Sequence, residues 1–171
     1  MVGGAPVARF RLTDDHGKPV SEADYSGSFL LVYFGFTHCK VVCPRSLAKL
    51  SRVLDRLGDT ANHLAPLYVT VDPARDTPEV LRAYLEAFPR FTGLTGTPDQ
   101  IDAAKKAFRV FAERRPDADE PDGYVVPHSA ISYLMAPGGG YCDHFTDAAE
   151  EQAIVDRIRA ALPTNRSVAN G

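Results

Sequence analysis

The feature that most constrains the fold of this chain is a nearly unbroken apolar run, Phe29 to Phe36, that passes into a segment with helical spacing. Such a run is typical of a strand that is buried on both faces of a sheet. From Pro44 to Leu57 the apolar residues recur at helical intervals, which predicts an amphipathic helix that Gly58 ends. Cys39 and Cys43 lie in the junction between this strand and this helix.

The rest of the chain predicts further strands and helices in alternation, with Leu94 beginning a loop and an exposed polar excursion over Glu113–Gly123. The predicted strands are Phe10–Leu12, Pro66–Val71, Tyr124–Met135 and Tyr141–Phe145, and the predicted helices are Thr77 to about Phe88, Thr97 to about Phe111 and Ala148–Leu162. The turn Pro137–Gly140 joins the last two strands as a hairpin. This order predicts an α/β fold with a central mixed sheet flanked by helices and an N-terminal β-hairpin. A cysteine motif that follows the first buried strand and opens a helix is typical of the thioredoxin-like fold.

Length and charge limit the classes of protein that this chain can belong to. A chain of 171 residues fits one domain over 1–171, with an ordered core of about 8–162 and frayed tails. A net charge of -3 and the absence of a basic patch exclude nucleic acid as a partner. The sequence contains no apolar run of membrane-spanning length, and its start lacks the pattern of a signal peptide.

Two thiols at the start of a helix support two kinds of chemistry. A Cys-x-x-x-Cys pair chelates a soft metal ion such as Cu(I) or Zn(II), or it cycles between dithiol and disulfide. The positive end of the helix and the neighbouring Lys40 predict that Cys39 and Cys43 are more acidic than free thiols. Two buried structural cysteines are the alternative interpretation.

A two-thiolate metal site needs a third ligand, and the sequence offers several weak candidates. His16 and His63 lie in polar links and are predicted to be surface residues. His128 precedes a strand-like run that could pair with the first buried strand, although a lone histidine is more often structural. Cys142 and His144 form a Cys-x-His pair that we interpret as an ordinary strand segment. Asp72, at the end of the second buried strand, either tunes a thiol or caps a turn.

Four segments of the sequence, taken together, resemble one known family. The matching segments are residues 33–39 with Cys43 and Pro44, residues 69–78, residues 91–97, and residues 126–129 with Tyr133 and Leu134. They occur in the order in which the Sco/SenC copper-binding proteins have them, and they span most of the chain from about Phe10 to Leu162. The resemblance implies a thioredoxin-like fold.

The resemblance also implies a ligand set and a function. Family members bind one copper ion, Cu(I) or Cu(II), through the two motif cysteines and a distant histidine, which correspond to Cys39, Cys43 and His128. They act in assembling the CuA centre of cytochrome c oxidase subunit II, as copper donors or as reductants of its cysteines. Members lie on the extracytoplasmic face of the bacterial membrane or in the mitochondrial intermembrane space, tethered by an N-terminal helix. This sequence lacks such a helix, so we expect a soluble domain that is periplasmic in location and separated from its membrane tether. We also expect the protein to be a monomer.

The chain departs from the family pattern near the expected metal. Lys40 and Val41 replace a Pro-Asp pair after the first cysteine, and Pro127 replaces an Asp before the histidine. These changes remove carboxylates and add a cation, which repels Cu²⁺ and favours a thiolate. A thiol-disulfide reductase, with Cys39 attacking and Cys43 resolving, is therefore the alternative function. A third hypothesis is an interaction module that has lost both chemistries.

Overall fold

The computed structural model describes residues 5–39, 42–110, 115–116, 124–125 and 130–162. The main strands are β1 (Arg11–Asp14), β2 (Pro19–Ser21), β3 (Phe29–Gly35), β4 (Leu64–Thr70) and β5 (Thr92–Thr95), followed by the short β6 (Arg115–Pro116) and β7 (Tyr124–Val125) and by β8 (Ile131–Met135) and β9 (Tyr141–Thr146). The helices are α1 (Val42–Leu57), α2 (Pro78–Tyr84), α3 (Pro98–Phe108) and α4 (Glu151–Ala161).

Seven of these strands form one mixed sheet in the order β2-β1-β5-β4-β3-β8-β9. The pairs β3·β4 and β4·β5 are parallel, whereas β3·β8, β8·β9, β1·β2 and β1·β5 are antiparallel. Tyr33 in β3 is opposite Tyr68 in β4 and Ser132 in β8. The predicted mixed sheet and N-terminal hairpin are confirmed.

The central strand β3 divides the core into two apolar layers because successive side chains point to opposite faces. Leu31 and Tyr33 pack in the layer that α1, α2 and α4 cover, and Leu30, Val32 and Phe34 pack in the layer that α3 covers. Five consecutive residues of β3 from Leu30 to Phe34 are at most 3% exposed. A strand that is buried on both faces explains why its sequence is a continuous apolar run instead of an alternating one.

Several predicted boundaries differ from those of the structure. Helix α1 ends at Leu57 as predicted, and Gly58 has a positive φ of 58° that favours glycine. The prediction that Leu94 begins a loop is wrong, because Leu94 lies in β5 and pairs with Val69 and Asp14. Helix α3 ends earlier than predicted, at Phe108, where Arg109 adopts a left-handed conformation with φ 62°.

The polar excursion predicted over Glu113–Gly123 lies largely outside the described residues. Its described part pairs with the chain that follows, since β6 and β7 form a two-stranded antiparallel sheet. The hairpin predicted around Pro137–Gly140 is present between β8 and β9, and Gly138 and Gly139 both have positive φ. Among the helices of the described residues, none is long and apolar enough to cross a membrane.

Candidate metal and thiol site

The loop that contains Cys39 leaves the sheet at the carboxyl end of β3. The Gly35 carbonyl accepts a hydrogen bond from the Val71 N–H at 2.8 Å, so β3 and β4 remain paired up to the point where the loop begins. The Cys39 N–H then donates to the Phe36 carbonyl at 3.0 Å, which closes a tight turn. The turn places Cys39 beside the start of α1.

The structure brings Cys39 and Cys43 together, but not as successive turns of one helix. Helix α1 begins at Val42, so Cys39 precedes it and Cys43 lies in its first turn. The Cys43 N–H donates to the Cys39 Sγ at 3.4 Å, and the sulfur thus takes the place that a capping oxygen usually has. Both cysteines are thiols that are not joined in a disulfide.

The two thiols differ sharply in their exposure. Cys39 is partly exposed. Cys43, in the first turn of α1, is 0% exposed and packs in the apolar layer between α1 and the sheet. The Tyr33 hydroxyl donates to the Cys43 Sγ at 3.7 Å from the central strand. One thiol of the pair is therefore accessible to an incoming partner, and the other is enclosed by the core.

Gly35 is required by the close packing around Cys43. A Cβ atom at this position would lie 2.8 Å from the Tyr68 hydroxyl and 2.9 Å from the Cys43 Sγ. Real Cβ atoms do not approach heavy atoms so closely, so a larger residue would displace the thiol or the tyrosine. The glycine at the end of β3 thus belongs to the wall of the Cys43 pocket.

Tyr33 and Tyr68 also line the Cys43 pocket, and Tyr84 packs against Tyr68. The Tyr33 and Tyr68 rings stack with centroids 6.1 Å apart, and Tyr84 follows Tyr68 at 5.7 Å. Burial raises the pKa of all three phenols, and nearby Cys43 adds to the effect, so they stay protonated. Sequence reasoning missed these residues. The alternation along β3 could have placed Tyr33 on the same face as Leu31, but nothing in the sequence links Tyr84 to the site.

The prediction that the helix terminus makes both thiols more acidic is wrong for Cys43. Its pKa is raised because a hydrogen bond with the Cys39 thiol stabilises its protonated form, because it is buried, and because a charge on Cys39 opposes a second one. The main-chain hydrogen bond from Phe36 and the Tyr33 hydroxyl oppose this effect without reversing it. The hydrogen bond with Cys39 and burial together outweigh the favourable effect of the helix dipole on a thiolate at this position.

A buried carboxylate holds the cysteine loop from the other side. The Asp76 carboxylate accepts hydrogen bonds from the Thr37 N–H at 3.0 Å, the Thr37 hydroxyl at 2.6 Å and the Thr70 hydroxyl at 2.6 Å. Burial raises the pKa of Asp76, and the hydrogen bonds from Thr37 and Thr70 act in the opposite direction. Sequence reasoning did not single out Asp76, because it lies 39 residues from the Thr37 that it contacts.

Asp72, for which the sequence left two roles open, serves the turn after β4. Its carboxylate pairs with the Arg75 guanidinium at 2.5 Å, and its carbonyl accepts the N–H groups of Arg75 and Asp76. Asp72 and Arg75 are both nearly inaccessible to solvent. The turn that presents Asp76 to the loop is therefore itself fixed by a buried ion pair.

Strand β8, which follows in sequence the segment expected to supply a third ligand, begins at the end of the sheet from which the cysteine loop leaves. Strand β8 runs antiparallel to β3, with Ser132 opposite Tyr33, so β8 begins where β3 ends. His128 lies outside the described residues, as do Lys40, Val41 and Pro127. Among the described residues no group of three or more His, Cys, Asp or Glu could hold a metal ion. The described donors are therefore the two thiols.

The other candidate residues lie away from this site. His16 is 73% exposed in the β1–β2 turn, and His63 is also exposed, as predicted for surface residues. Cys142 is exposed on β9, next to Tyr141, which pairs with Met135 at the end of the sheet opposite the cysteine loop. Cys142 is thus not part of the dithiol site.

The sheet order and the cysteine loop together define a thioredoxin-like protein with a dithiol at the first buried strand. The family model for SCO1/SenC matches residues 4–163, and the chain belongs to that family. It is 39% identical over 156 residues to the mitochondrial SCO1 homolog of Mus musculus, a match that covers 90% of this chain. It is also 39% identical over 151 residues to the SCO2-like protein of Rickettsia felis, covering 88% of this chain and 74% of that protein.

Solved structures of the same family agree with this fold over nearly the whole chain. Copper-bound ScoI of Bradyrhizobium japonicum has a TM-score of 0.82 and 34% identity, covering 92% of this chain and 100% of its own. Copper-bound yeast Sco1 has a TM-score of 0.84 and 35% identity, covering 98% of this chain and 96% of its own. The chain spans 55% of the mouse SCO1 homolog and 46% of the human one.

Proposed function

We propose that this protein binds one copper ion through Cys39, Cys43 and His128 and delivers it to a target protein. The observation that carries the proposal is the approach of the two thiols at the start of α1, where the Cys43 N–H donates to the Cys39 Sγ. Two sulfurs suit Cu(I), and an imidazole helps to accommodate Cu(II). The partly exposed Cys39 gives a target protein access to the ion for ligand exchange.

Two further observations support this assignment of ligands. Strand β8 begins at the end of the sheet where the cysteine loop leaves β3, and His128 lies three residues before β8 in the sequence. The family relatives from Bradyrhizobium japonicum and yeast have structures with copper bound. The target that we propose is the CuA centre of cytochrome c oxidase subunit II, reached from the periplasmic side by a monomer that is tethered to the membrane.

Copper titration of the reduced full chain tests this function. We expect uptake of one Cu(I) per chain, and we expect His128→Ala to weaken it. Two control variants, His16→Ala and Cys142→Ser, change an exposed histidine and an exposed cysteine away from the site and leave uptake unchanged. Substoichiometric uptake by the parent protein, or equal affinity in His128→Ala, contradicts the proposal.

A second function, thiol-disulfide reduction, is favoured by the unequal exposure of the two thiols. The Cys39 thiolate would attack a target disulfide, form a mixed disulfide and release one target thiolate. Cys43 would then lose its proton and attack the Cys39 Sγ, so that the second target thiolate leaves and a Cys39–Cys43 disulfide remains. The target gains the two electrons that the cysteine pair loses.

Trapping of the mixed disulfide distinguishes reduction from copper delivery alone. With a disulfide-bonded target and in a Cys142→Ser background, Cys43→Ser is expected to accumulate the covalent complex. Cys39→Ser is expected to form none, because the remaining Cys43 thiol is buried. Reduction of the target no faster than by glutathione would exclude this second function. Loss of both activities in the parent protein would favour the interaction module.

A further inference from the structure

The buried side chain of Asp76 occupies the space between the cysteine loop and the ends of two parallel strands. Asp76 is 0% exposed, as is Thr70 at the end of β4. The carboxylate contacts the loop through Thr37, two residues before Cys39, and contacts β4 through Thr70. Its main-chain carbonyl also accepts the hydroxyl of Thr95 from β5 at 2.8 Å. One residue thus joins the loop to both neighbouring strands.

We propose that Asp76 is a positioning residue for the dithiol, holding the loop so that the Cys39 Sγ stays against the first turn of α1. This inference rests on the proposed copper function and deepens it. The Asp76 anchor, which we define as Asp76 with Thr37 and Thr70, fixes Thr37 by two hydrogen bonds. The turn that contains Thr37, from Phe36 to Cys39, is closed by the hydrogen bond from the Cys39 N–H to the Phe36 carbonyl. The loop is therefore restrained on both sides of Thr37.

The geometry specifies a carboxylate at this position. One oxygen accepts two donors, the Thr37 N–H and the Thr70 hydroxyl, and the other oxygen accepts the Thr37 hydroxyl. An amide has only one acceptor oxygen, so Asn would keep the Thr37 hydroxyl bond only if that hydroxyl reversed its direction. A buried carboxylate without such donors would be strongly unfavourable, so Asp76 needs its three hydrogen bonds to remain at this position.

A loop fixed before metal binding reduces the ordering that binding itself must impose. Groups that orient metal ligands without touching the metal commonly change the metal affinity by about tenfold to a hundredfold when they are replaced. Loosening the Asp76 anchor would let Cys39 leave its place beside the Cys43 N–H. The expected result is weaker copper binding with little change in the pocket around Cys43, which other elements form.

Four single variants of the full chain test the proposal. Thr37→Val removes the hydroxyl bond to the carboxylate, and Asp76→Asn reduces its acceptor capacity. Thr37→Ser keeps the hydroxyl and is the rescue variant. Thr95→Val is the matched control, because it makes the same chemical change as Thr37→Val but removes a bond to the Asp76 carbonyl instead of the carboxylate.

The readouts are Cu(I) affinity, measured by competition with a chromogenic chelator, and urea unfolding of the same variants. We expect affinity to fall about tenfold in Thr37→Val and Asp76→Asn, and to remain at the parent value in Thr37→Ser and Thr95→Val. Unchanged affinity in the first two variants would overturn the proposal. Affinity that falls in step with stability in all variants, Thr95→Val included, would also overturn it.

A second readout separates failure of this inference from failure of the copper function. The rate of Cys39 alkylation by iodoacetamide, in a Cys142→Ser background, reports the position of the loop without any metal. We expect this rate to change severalfold in Thr37→Val but not in Thr37→Ser or Thr95→Val. If the parent protein takes up no copper, the copper function fails. The change in the alkylation rate between Thr37→Val and the parent then alone decides the role of Asp76. An unchanged rate in Thr37→Val then refutes it.

Discussion

The two cysteines lie four residues apart in surroundings of opposite kind. Cys39 is partly exposed in a loop that polar groups hold, with Asp76 accepting three hydrogen bonds from threonines nearby. Cys43 is 0% exposed in a pocket formed by Tyr33, Tyr68 and the glycine at the end of β3. The polar region restrains a main-chain loop, whereas the apolar region encloses a side chain.

This difference in surroundings suits the two sulfurs to separate tasks in the proposed function. A partly exposed thiol at a helix start can meet an incoming metal donor or a target disulfide. A buried thiol whose pKa is raised keeps its proton until its neighbour has reacted or a metal replaces the proton. The asymmetry suits ligand exchange at one sulfur while the other retains the ion, and it also suits an attacking and a resolving thiol.

The largest expected effect is on thiol reactivity. In a Cys142→Ser background, we compare Cys43→Ser, which retains only Cys39, with Cys39→Ser, which retains only Cys43. Reaction with a colorimetric disulfide reagent at neutral pH is expected to be roughly a hundredfold faster for Cys39, because Cys43 is 0% exposed and its burial remains when Cys39 is replaced. Equal rates would show that the two environments do not differ in solution.

The next largest effect is on the packing of the Cys43 pocket. Gly35→Ala would place a Cβ 2.8 Å from the Tyr68 hydroxyl, and we expect the free energy of unfolding to fall by about 1–3 kcal/mol. Urea denaturation measures this change. Gly27→Ala is the control, since a Cβ there meets nothing within 4 Å. If both substitutions have the same small effect, the pocket is looser than the structure indicates.

The pH dependence of stability gives a smaller effect with a definite sign. The pKa of Cys43 is raised in the folded protein, so above the ordinary thiol pKa of about 8.5 the unfolded chain loses a proton that the folded chain retains. The contribution of the neutral Cys43 thiol to the free energy of unfolding is fully present below that pKa. As the pH rises above it, this contribution falls by up to about 1.4 kcal/mol per pH unit. Urea unfolding between about pH 8 and 9.5 should therefore show a flatter slope in Cys43→Ala than in the parent. Parallel slopes would contradict the raised pKa.

The smallest effect concerns the hydroxyl of Tyr33. Tyr33→Phe removes its hydrogen bond to the Cys43 Sγ, and we expect a loss of about 0.5–1 kcal/mol in the free energy of unfolding. A double-mutant cycle with Cys43→Ala isolates this contact, because Tyr33→Phe should cost less once the sulfur is absent. An unchanged cost in the Cys43→Ala background would mean that the hydroxyl acts through other groups.

The sequence predicted the centre of the fold better than its edges. The continuous apolar run of β3 and the helical spacing of α1 are strong local signals, and both elements are present. Strand β5 was missed because Thr92–Thr95 is short and contains Gly93, and its extended form depends on pairing with β4 and β1. A local sequence pattern does not predict pairing between strands that are distant in the chain.

The site was predicted in part, for the same reason. Spacing and position identified Cys39 and Cys43, and the structure brings them together. The acidity of Cys43 was predicted wrongly, because its pKa is raised by the hydrogen bond with Cys39 and by burial, and that burial depends on residues from other elements of the core. Asp76 was not identified because its contacts with Thr37 span 39 residues. The role of His128 stays a prediction.

X-ray absorption spectroscopy of the copper-loaded chain tests the central claim most directly. In a Cys142→Ser background, the sulfur of an unrelated cysteine cannot contribute to the signal. We predict a copper shell of two sulfur ligands and one imidazole nitrogen, with the imidazole contribution absent in His128→Ala and one sulfur absent in Cys39→Ser or Cys43→Ser. A copper shell that contains fewer than two sulfurs in the parent, or that is identical in His128→Ala, would contradict the account.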